Sequence, residues 1–272
     1  GGIRECFTPR QGFVYVGADY STAELIALAH VCEEWGLVSK MAKAIREGFD
    51  LHLLLASSML KISYSEAKQR LDKEDPEIKT YRQLAKVPNF GLSGGLGVEG
   101  LRGFAKSSYE IELSPEEAKN LKTAWFEQWS EMRGYFKRIE QATQQGYIIQ
   151  SFSGRRRGGI GYTDGANTMF QGLVADGAKL ALYETVKECF TIPASPLYGS
   201  KPVLFIHDEI ILESPKGKAS EAGARLASLM KETMRKAIPN LPIEVDAWIS
   251  SKWSKGNKTV YNAEGELVSC TD

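Results

Sequence analysis

The sequence predicts an α/β fold of the α+β kind, an antiparallel sheet combined with a mainly helical region. Three stretches carry that expectation. Residues 203–213 read Val-Leu-Phe-Ile-His-Asp-Glu-Ile-Ile-Leu-Glu, two apolar runs around a polar tip. Such β-branched runs are the pattern of two buried strands joined by a very tight turn. Residues 13–19 form another apolar strand that ends at Asp19, and a helical pattern with Leu25, Leu28 and Ala29 follows at once. Most of the chain from there to residue 146 reads as helices.

In chain order, residues 1–18 are an extended lead-in. Ser21 and Thr22 offer helix caps, and Glu24 follows Ser21 at capping-box spacing. The pattern from Leu25 to about Arg46 is one amphipathic helix. Another starts at 48–52 and carries Leu53, Leu54, Leu55, Met59 and Leu60. Residues 66–79 are a run of mixed charge, a solvated helix and loop broken at Pro76. A helix over 81–91 follows, which Pro88 should bend because it has no N–H. Residues 95–100 fit G-x-G-x-x-G, but a dinucleotide fingerprint needs a strand before it, and here a helix precedes it. No Gly-Lys-Ser/Thr is present either, so these glycines read as a flexible helix end. Ser114 is an N-cap, with Pro115 in the first turn and Glu116 and Glu117 near the positive end of the helix dipole. One long helix then runs through Trp125, Trp129, Tyr135 and Ile139, an aromatic stripe that reads as core. Residues 146–157 suggest a hairpin with a basic turn, 167–190 a helix, 219–237 a charged amphipathic helix and 243–248 a last strand. The tail from 255 to 272 carries no assignable pattern.

Composition sets the bounds. The 272 residues are 43% hydrophobic and 25% charged, ordinary for a globular protein and enough for one large domain or two intimate subdomains. Lys+Arg and Asp+Glu are both 34, so global charge neither supports nor excludes a nucleic-acid partner. Charge is segregated, however. Lys79, Arg82, Lys86, Arg102 and Lys106 face a single acid, Glu99, over their span, and Arg155, Arg156 and Arg157 form a second cluster. The four cysteines make no C-x-x-C pair and read as free thiols of a reducing compartment. No 18-residue apolar run or signal peptide is present, so no membrane is expected and a cytoplasmic location is. The opening Gly-Gly without Met reads as a processed or excised piece.

Chemistry concentrates in two of these stretches and in the helix over 81–91. A two-residue hairpin turn usually takes glycine, because its central residues need positive φ. The tip at His207, Asp208 and Glu209 carries an imidazole and two carboxylates instead. It is either a polar surface turn or, with Asp19, a paired-carboxylate site for Mg²⁺. Hard cations take one or two carboxylates plus substrate phosphate oxygens, and two-metal sites serve phosphoryl transfer. Arg82, Lys86 and Phe90 recur at i, i+4 and i+8 and share one helical face. That face is either solvated cations beside a core ring or a clamp for a triphosphate with a ring to stack on.

Taken together, the elements Asp19-Tyr20-Ser21-x-x-Glu24-Leu25, Arg82-x-x-x-Lys86-x-x-x-Phe90-Gly91 and His207-Asp208-Glu209 resemble motifs A, B and C of the family A DNA polymerases, in the family's order. The resemblance covers about residues 3–253. It implies a palm at 1–31 and 147–272 with an antiparallel sheet, and helical fingers at 32–146. It also implies template-directed DNA synthesis from dNTP on primer-template DNA. In that reading two Mg²⁺ ions, for which Mn²⁺ can substitute, bridge Asp19 and Asp208, with the Tyr20 carbonyl as a third ligand. Arg82, Lys86 and His52 meet phosphates, Phe90 stacks near the incoming base and sugar, and Glu24 crowds a ribose 2′-hydroxyl. Glu209 and His207 are auxiliary groups at the metal and primer terminus, and Arg155, Asn167 and Gln171 contact template or duplex. The alternative for His52, of less weight beside these motifs, is a helix-start histidine with no ligand.

The match has departures. Gly94-Gly95 stand where the family has Tyr-Gly, and Thr163 stands where it has Arg, which points to a divergent, phage-type branch. The family's thumb and exonuclease have no counterpart in these residues, so a second polypeptide or an upstream segment is expected to supply them. Two rival readings are a single-subunit RNA polymerase, which shares the palm, and an inactive DNA-binding accessory piece.

Overall fold

The strands form where apolar and small residues alternate with residues that need the opposite face. The computed structural model describes residues 2–270. Strand β1 (Phe13–Tyr20) is followed by helices α1 (Ala23–Glu34), α2 (Lys40–Arg46), α3 (Leu51–Leu60), α4 (Tyr64–Asp72), α5 (Pro76–Gly91), α6 (Val98–Tyr109), α7 (Pro115–Gln128) and α8 (Met132–Gln145). Then come the short hairpin β2 (Tyr147–Ile149) and β3 (Arg156–Gly158), the long helix α9 (Tyr162–Thr191), strands β4 (Lys201–Ile206) and β5 (Glu209–Pro215), helix α10 (Ala219–Ala237) and strand β6 (Val245–Ser250). The fold divides into two units, one made of the residues up to Ala23 and from Val174 onwards, the other of Glu24–Leu173.

The first unit is a four-stranded antiparallel sheet in the order β4-β5-β1-β6. β1 lies in the middle, with Gly17 opposite Ile211 on one side and Trp248 on the other. Alternation along β1 sends Val16, Ala18 and Tyr20 to one face and Tyr15, Gly17 and Asp19 to the other. Helix α10 covers the first face, where the Tyr20 hydroxyl donates to the Met230 carbonyl at 2.9 Å. On the second face Tyr15, Ile211 and Trp248 cluster, with Leu204 and Trp253 against them. A β-carbon at Gly17 would strike the Trp248 indole, so the bare backbone there is what lets the ring lie flat on the sheet. The tail, which showed no pattern in sequence, is tied to this sheet. The Cys270 N–H donates to the Ile249 carbonyl at 2.8 Å, and buried Leu267 packs against Gly223 of α10.

The second unit is helical, with α3 packed on α5 and both against α7. Two helices expected to be continuous are interrupted. The first ends at Glu34 and resumes at Lys40, because Gly36 turns the chain at φ +72°. Ser39 then caps α2, its hydroxyl accepting from the Ala42 N–H at 3.0 Å. The aromatic helix breaks at Trp129–Glu131, where Glu131 accepts from the Ser39 hydroxyl at 3.0 Å and the Met41 N–H at 2.8 Å. A carboxylate spent on capping another helix cannot be seen from local periodicity. The aromatic stripe is core as expected: Trp125, Trp129 and Tyr135 are fully buried. Pro76 opens α5 rather than breaking it, with Asp75 as its cap, and α5 runs on through Pro88 to Gly91. The capping box Ser114–Glu117 forms as the sequence predicts, and the glycines before α6 leave Gly97 as its cap.

Candidate active site

The turn between β4 and β5 is only His207 and Asp208, with Ile206 paired to Glu209 across it. The positive φ that such a turn demands falls on His207, at 57°, a conformation that costs a non-glycine residue about 1–2 kcal/mol. Asp208 therefore stands at the very end of the sheet. Asp19 is the last residue but one of β1, and the register places it directly opposite Asp246 of β6. Asp19 and Asp208 are hydrogen-bonded to each other, so the two motifs meet as carboxylate against carboxylate.

The electrostatic consequence is plain. Although the Asp19 side chain reaches solvent, the protein packed around it, then the charge and hydrogen bond of Asp208, push its carboxyl up to about 7. Glu209 is also raised, by burial first and by Asp19 next. The Trp248 indole N–H donates to Glu209 at 3.3 Å, and Ser21 donates to Asp246. A cleft of about 350 Å³ lies here, lined by Asp19, Glu209, Asp246 and Trp248 together with Arg4 and with Lys255 and Lys258 of the tail. Carboxylates crowded closely enough to raise one another's pKa suit a hard divalent cation. Among the described residues no three His, Cys, Asp or Glu converge on one metal position. An ion held by the pair would then complete its shell with backbone, water or substrate oxygens, as Mg²⁺ commonly does. The backbone carbonyl of Tyr20 belongs to the same strand end; its side chain is buried.

The helical unit gathers the second set. Asp50 caps α3, accepting from the N–H groups of His52 at 2.9 Å and Leu53 at 3.1 Å through one oxygen. Its other oxygen takes two N–H groups of Arg82, both at 2.7 Å. Burial would raise Asp50, but the Leu53 N–H and Arg82 outweigh it, and its carboxyl is lowered. His52 is buried, with its ring 5.2 Å from that of Phe90. Burial depresses its pKa to about 4, and Arg82 and Lys86 add to the effect against the pull of Asp50. His52 of α3 thus lies beside Phe90 and within the field of Arg82 and Lys86 of α5, a grouping between two helices that the i, i+4, i+8 spacing within one helix does not predict. Glu24 accepts from the Gln171 amide at 3.3 Å. Arg155 is exposed and donates to the Gly172 carbonyl at 3.4 Å. Asn167 donates to the carbonyls of Thr163 at 2.9 Å and Gly94 at 3.4 Å.

Residues 1–255 match the family model described as DNA polymerase family A. The chain belongs to DNA polymerase family A. DNA polymerase I of Aquifex aeolicus is 30% identical over 257 residues, which are 93% of this chain and 41% of that protein. The thermostable DNA polymerase I of Thermus aquaticus is 30% identical over 269 residues, 92% of this chain and 28% of that one. The polymerase domain of Pol1 from M. smegmatis, solved in complex with DNA primer-template and dNTP, superposes with a TM-score of 0.70. It shares 26% identity over 92% of this chain and 42% of its own. The family A chain therefore spans less than half the length of each of these relatives.

Several residues of this family A chain near the two clusters escaped the sequence reading. Asp246, Trp248 and Asn89 sit in plain view in the strand 243–248 and the helix 81–91, but only pairing register and packing show what they touch. The one legible hint is Asp246, a polar residue in the alternation Ile-Glu-Val-Asp-Ala-Trp. At the departure from the family pattern, a β-carbon on Gly94 would run into the Asn167 amide and one on Gly95 into the Tyr162 ring. Here small residues after the motif helix go with larger ones on α9.

Proposed function

We propose that this chain carries the nucleotidyl-transfer machinery of a DNA polymerase: under template direction the primer 3′-hydroxyl loses its proton and bonds to the α-phosphorus of a dNTP, the α–β phosphoanhydride bond breaks, and pyrophosphate leaves. The observation that carries the reading is the meeting of Asp19 and Asp208 at one sheet end, in a chain of this family. Two Mg²⁺ ions bound there, or Mn²⁺ in their place, would acidify the primer hydroxyl and offset the charge of the triphosphate. Asp19 and Asp208 would hold those ions with the Tyr20 carbonyl, while Trp248 fixes the orientation of Glu209 beside them. Arg82 and Lys86 would bind phosphate oxygens; because Asp50 already grips Arg82, that guanidinium is oriented before any ligand arrives. Phe90 would stack near the base and sugar, and Glu24, steadied by Gln171, would crowd a ribose 2′-hydroxyl. His207 and the Arg155, Asn167 and Gln171 group would contact primer and template, mostly at backbone and groove. Thumb and exonuclease functions would come from an upstream segment or a separate polypeptide.

The test is primer extension with labelled primer-template, comparing dNTP with NTP and Mg²⁺ with chelator. Extension should require the cation and prefer dNTP. Preference for NTP would favour an RNA polymerase, and cation-dependent binding without extension an accessory protein.

A further inference from the structure

Asn89 is fully buried in the last turn of α5, and every polar atom of its amide is engaged. Its oxygen accepts from two indole N–H groups, Trp125 at 3.1 Å and Trp129 at 3.0 Å. An indole nitrogen can only donate. Those two donors therefore settle which end of the amide is oxygen, a choice that packing alone would leave open. The amide nitrogen must then face the other way, where it lies 3.4 Å from the Leu51 carbonyl and 3.0 Å from Nδ1 of His52. An amide N–H cannot meet an Nδ1–H, so Nδ1 has to present its lone pair. In a neutral ring the proton then sits on Nε2.

We infer that Asn89 is a positioning residue that fixes His52 as a neutral Nε2–H donor, held in that state by Trp125 and Trp129, for a phosphate oxygen of the bound nucleotide. This rests on the nucleotide-binding reading above. The neighbourhood agrees with it. No other hydrogen bond to the ring occurs among the described residues, which leaves Nε2 for a ligand. Both oxygens of Asp50 are occupied by backbone N–H groups and Arg82, so they do not compete for the ring proton. Arg82 and Lys86 make the surroundings positive, and the ring stays neutral beside them. An Nε2 lone pair aimed at a phosphate would repel it; an Nε2–H attracts it. The sequence shows only an Asn next to the motif phenylalanine, with nothing to tie it to a histidine 37 positions earlier.

The ring nitrogens can be read directly. In the full 272-residue chain labelled with ¹⁵N-histidine, a His52→Gln spectrum assigns the signals among the three histidines. The expected pattern is a pyridine-type Nδ1 and a pyrrole-type Nε2 that persist from pH 8 down to pH 5. A pyrrole-type Nδ1, or a ring that titrates between pH 6 and 7, overturns the inference. In Asn89→Asp both side-chain oxygens accept, and a proton should appear on Nδ1; an unchanged ring in the folded variant also overturns it. If that variant does not fold, the wild-type spectrum still decides. Adding dTTP with Mg²⁺ should shift the Nε2–H resonance. A ring blind to dTTP in a sample that extends primers removes the positioning role and leaves the polymerase reading standing. A ring that responds to dTTP in a sample without extension leaves the positioning role and removes the polymerase reading.

Discussion

Asp19 holds its proton to about pH 7 because it is partly buried and because its nearest neighbour, Asp208, is another carboxylate. Replacing Asp208 by Asn keeps the shape and hydrogen-bonding reach of the side chain while removing one charge of the pair. The expected outcome for Asp208→Asn is loss of nucleotide addition by about a hundredfold or more, since even outer-shell changes at metal sites cost 10–100-fold. Unfolding by urea should be unchanged or slightly shifted upward, because like-charge repulsion falls. Wild-type extension rates in the folded variant would remove the pair from the chemistry. At His52 the same physics acts on stability. Its pKa falls from 6.5 to about 4 in the fold, mainly through burial, with Asp50, Arg82 and Lys86 as its charged neighbours. Below pH 6.5 the unfolded chain takes up a proton that the folded ring refuses. Stability is therefore full above pH 6.5, falls as pH drops, and levels off near pH 4, by roughly 3 kcal/mol in all. Urea unfolding of wild type and His52→Asn at pH 7 and pH 4.5 should show this loss only in wild type; parallel curves would mean the ring is not buried neutral.

Elements whose causes are local were legible in the sequence, and those with distant causes were not. The capping box at Ser114, the hairpin around His207 and Asp208, and the helix 219–237 are written in neighbouring residues and form where expected. The break at Gly36 is accompanied by Glu131 accepting from Ser39 and Met41 across the fold, and at the second break the Trp129 indole is held by Asn89 of α5; periodicity cannot register such distant contacts. The carboxylates 19, 208 and 209 were visible as motifs; Asp246 and Trp248 enter through strand register alone. That register yields a prediction for the sheet. A methyl group at position 17 would displace the Trp248 indole and with it the donor that Glu209 holds at 3.3 Å. Gly17→Ala should cost about 1–3 kcal/mol by overpacking and lower extension activity as well. A variant with unaltered urea midpoint and unaltered Trp fluorescence would show that the sheet absorbs the methyl. At the turn, His207→Gly relieves the positive-φ cost and should gain about 1 kcal/mol, while weakening primer binding if the imidazole contacts the terminus. Thermal melts and primer titrations of the same preparation separate the two effects.

At the scale of the whole molecule, charge is the property that decides how DNA can be held. Lys+Arg and Asp+Glu balance at 34 each, and many of the cations are engaged inside the protein. Arg82 is bound to Asp50, Arg225 to Glu188, Arg46 to Glu33 and Arg157 to Asp164. Affinity for a duplex rises with the phosphates a protein neutralises, and the logarithm of the binding constant falls with the logarithm of salt at about 0.9 per phosphate. If only about three phosphates are met, the loss between 50 and 200 mM salt is roughly 40-fold, against a thousandfold or more for six or over. These 272 residues on their own should therefore bind primer-template weakly, with a shallow salt slope, and extend it a few nucleotides per encounter. The relatives that match carry more than half of their length outside the matched region, and the added grip is expected from such a segment or from a partner chain. Titrating labelled primer-template at several salt concentrations, then counting nucleotides added per binding event under excess trap DNA, measures both quantities. A steep salt slope with tight, processive synthesis by the chain alone would mean that its basic clusters, Arg155–Arg157 foremost, already form a continuous duplex-binding face.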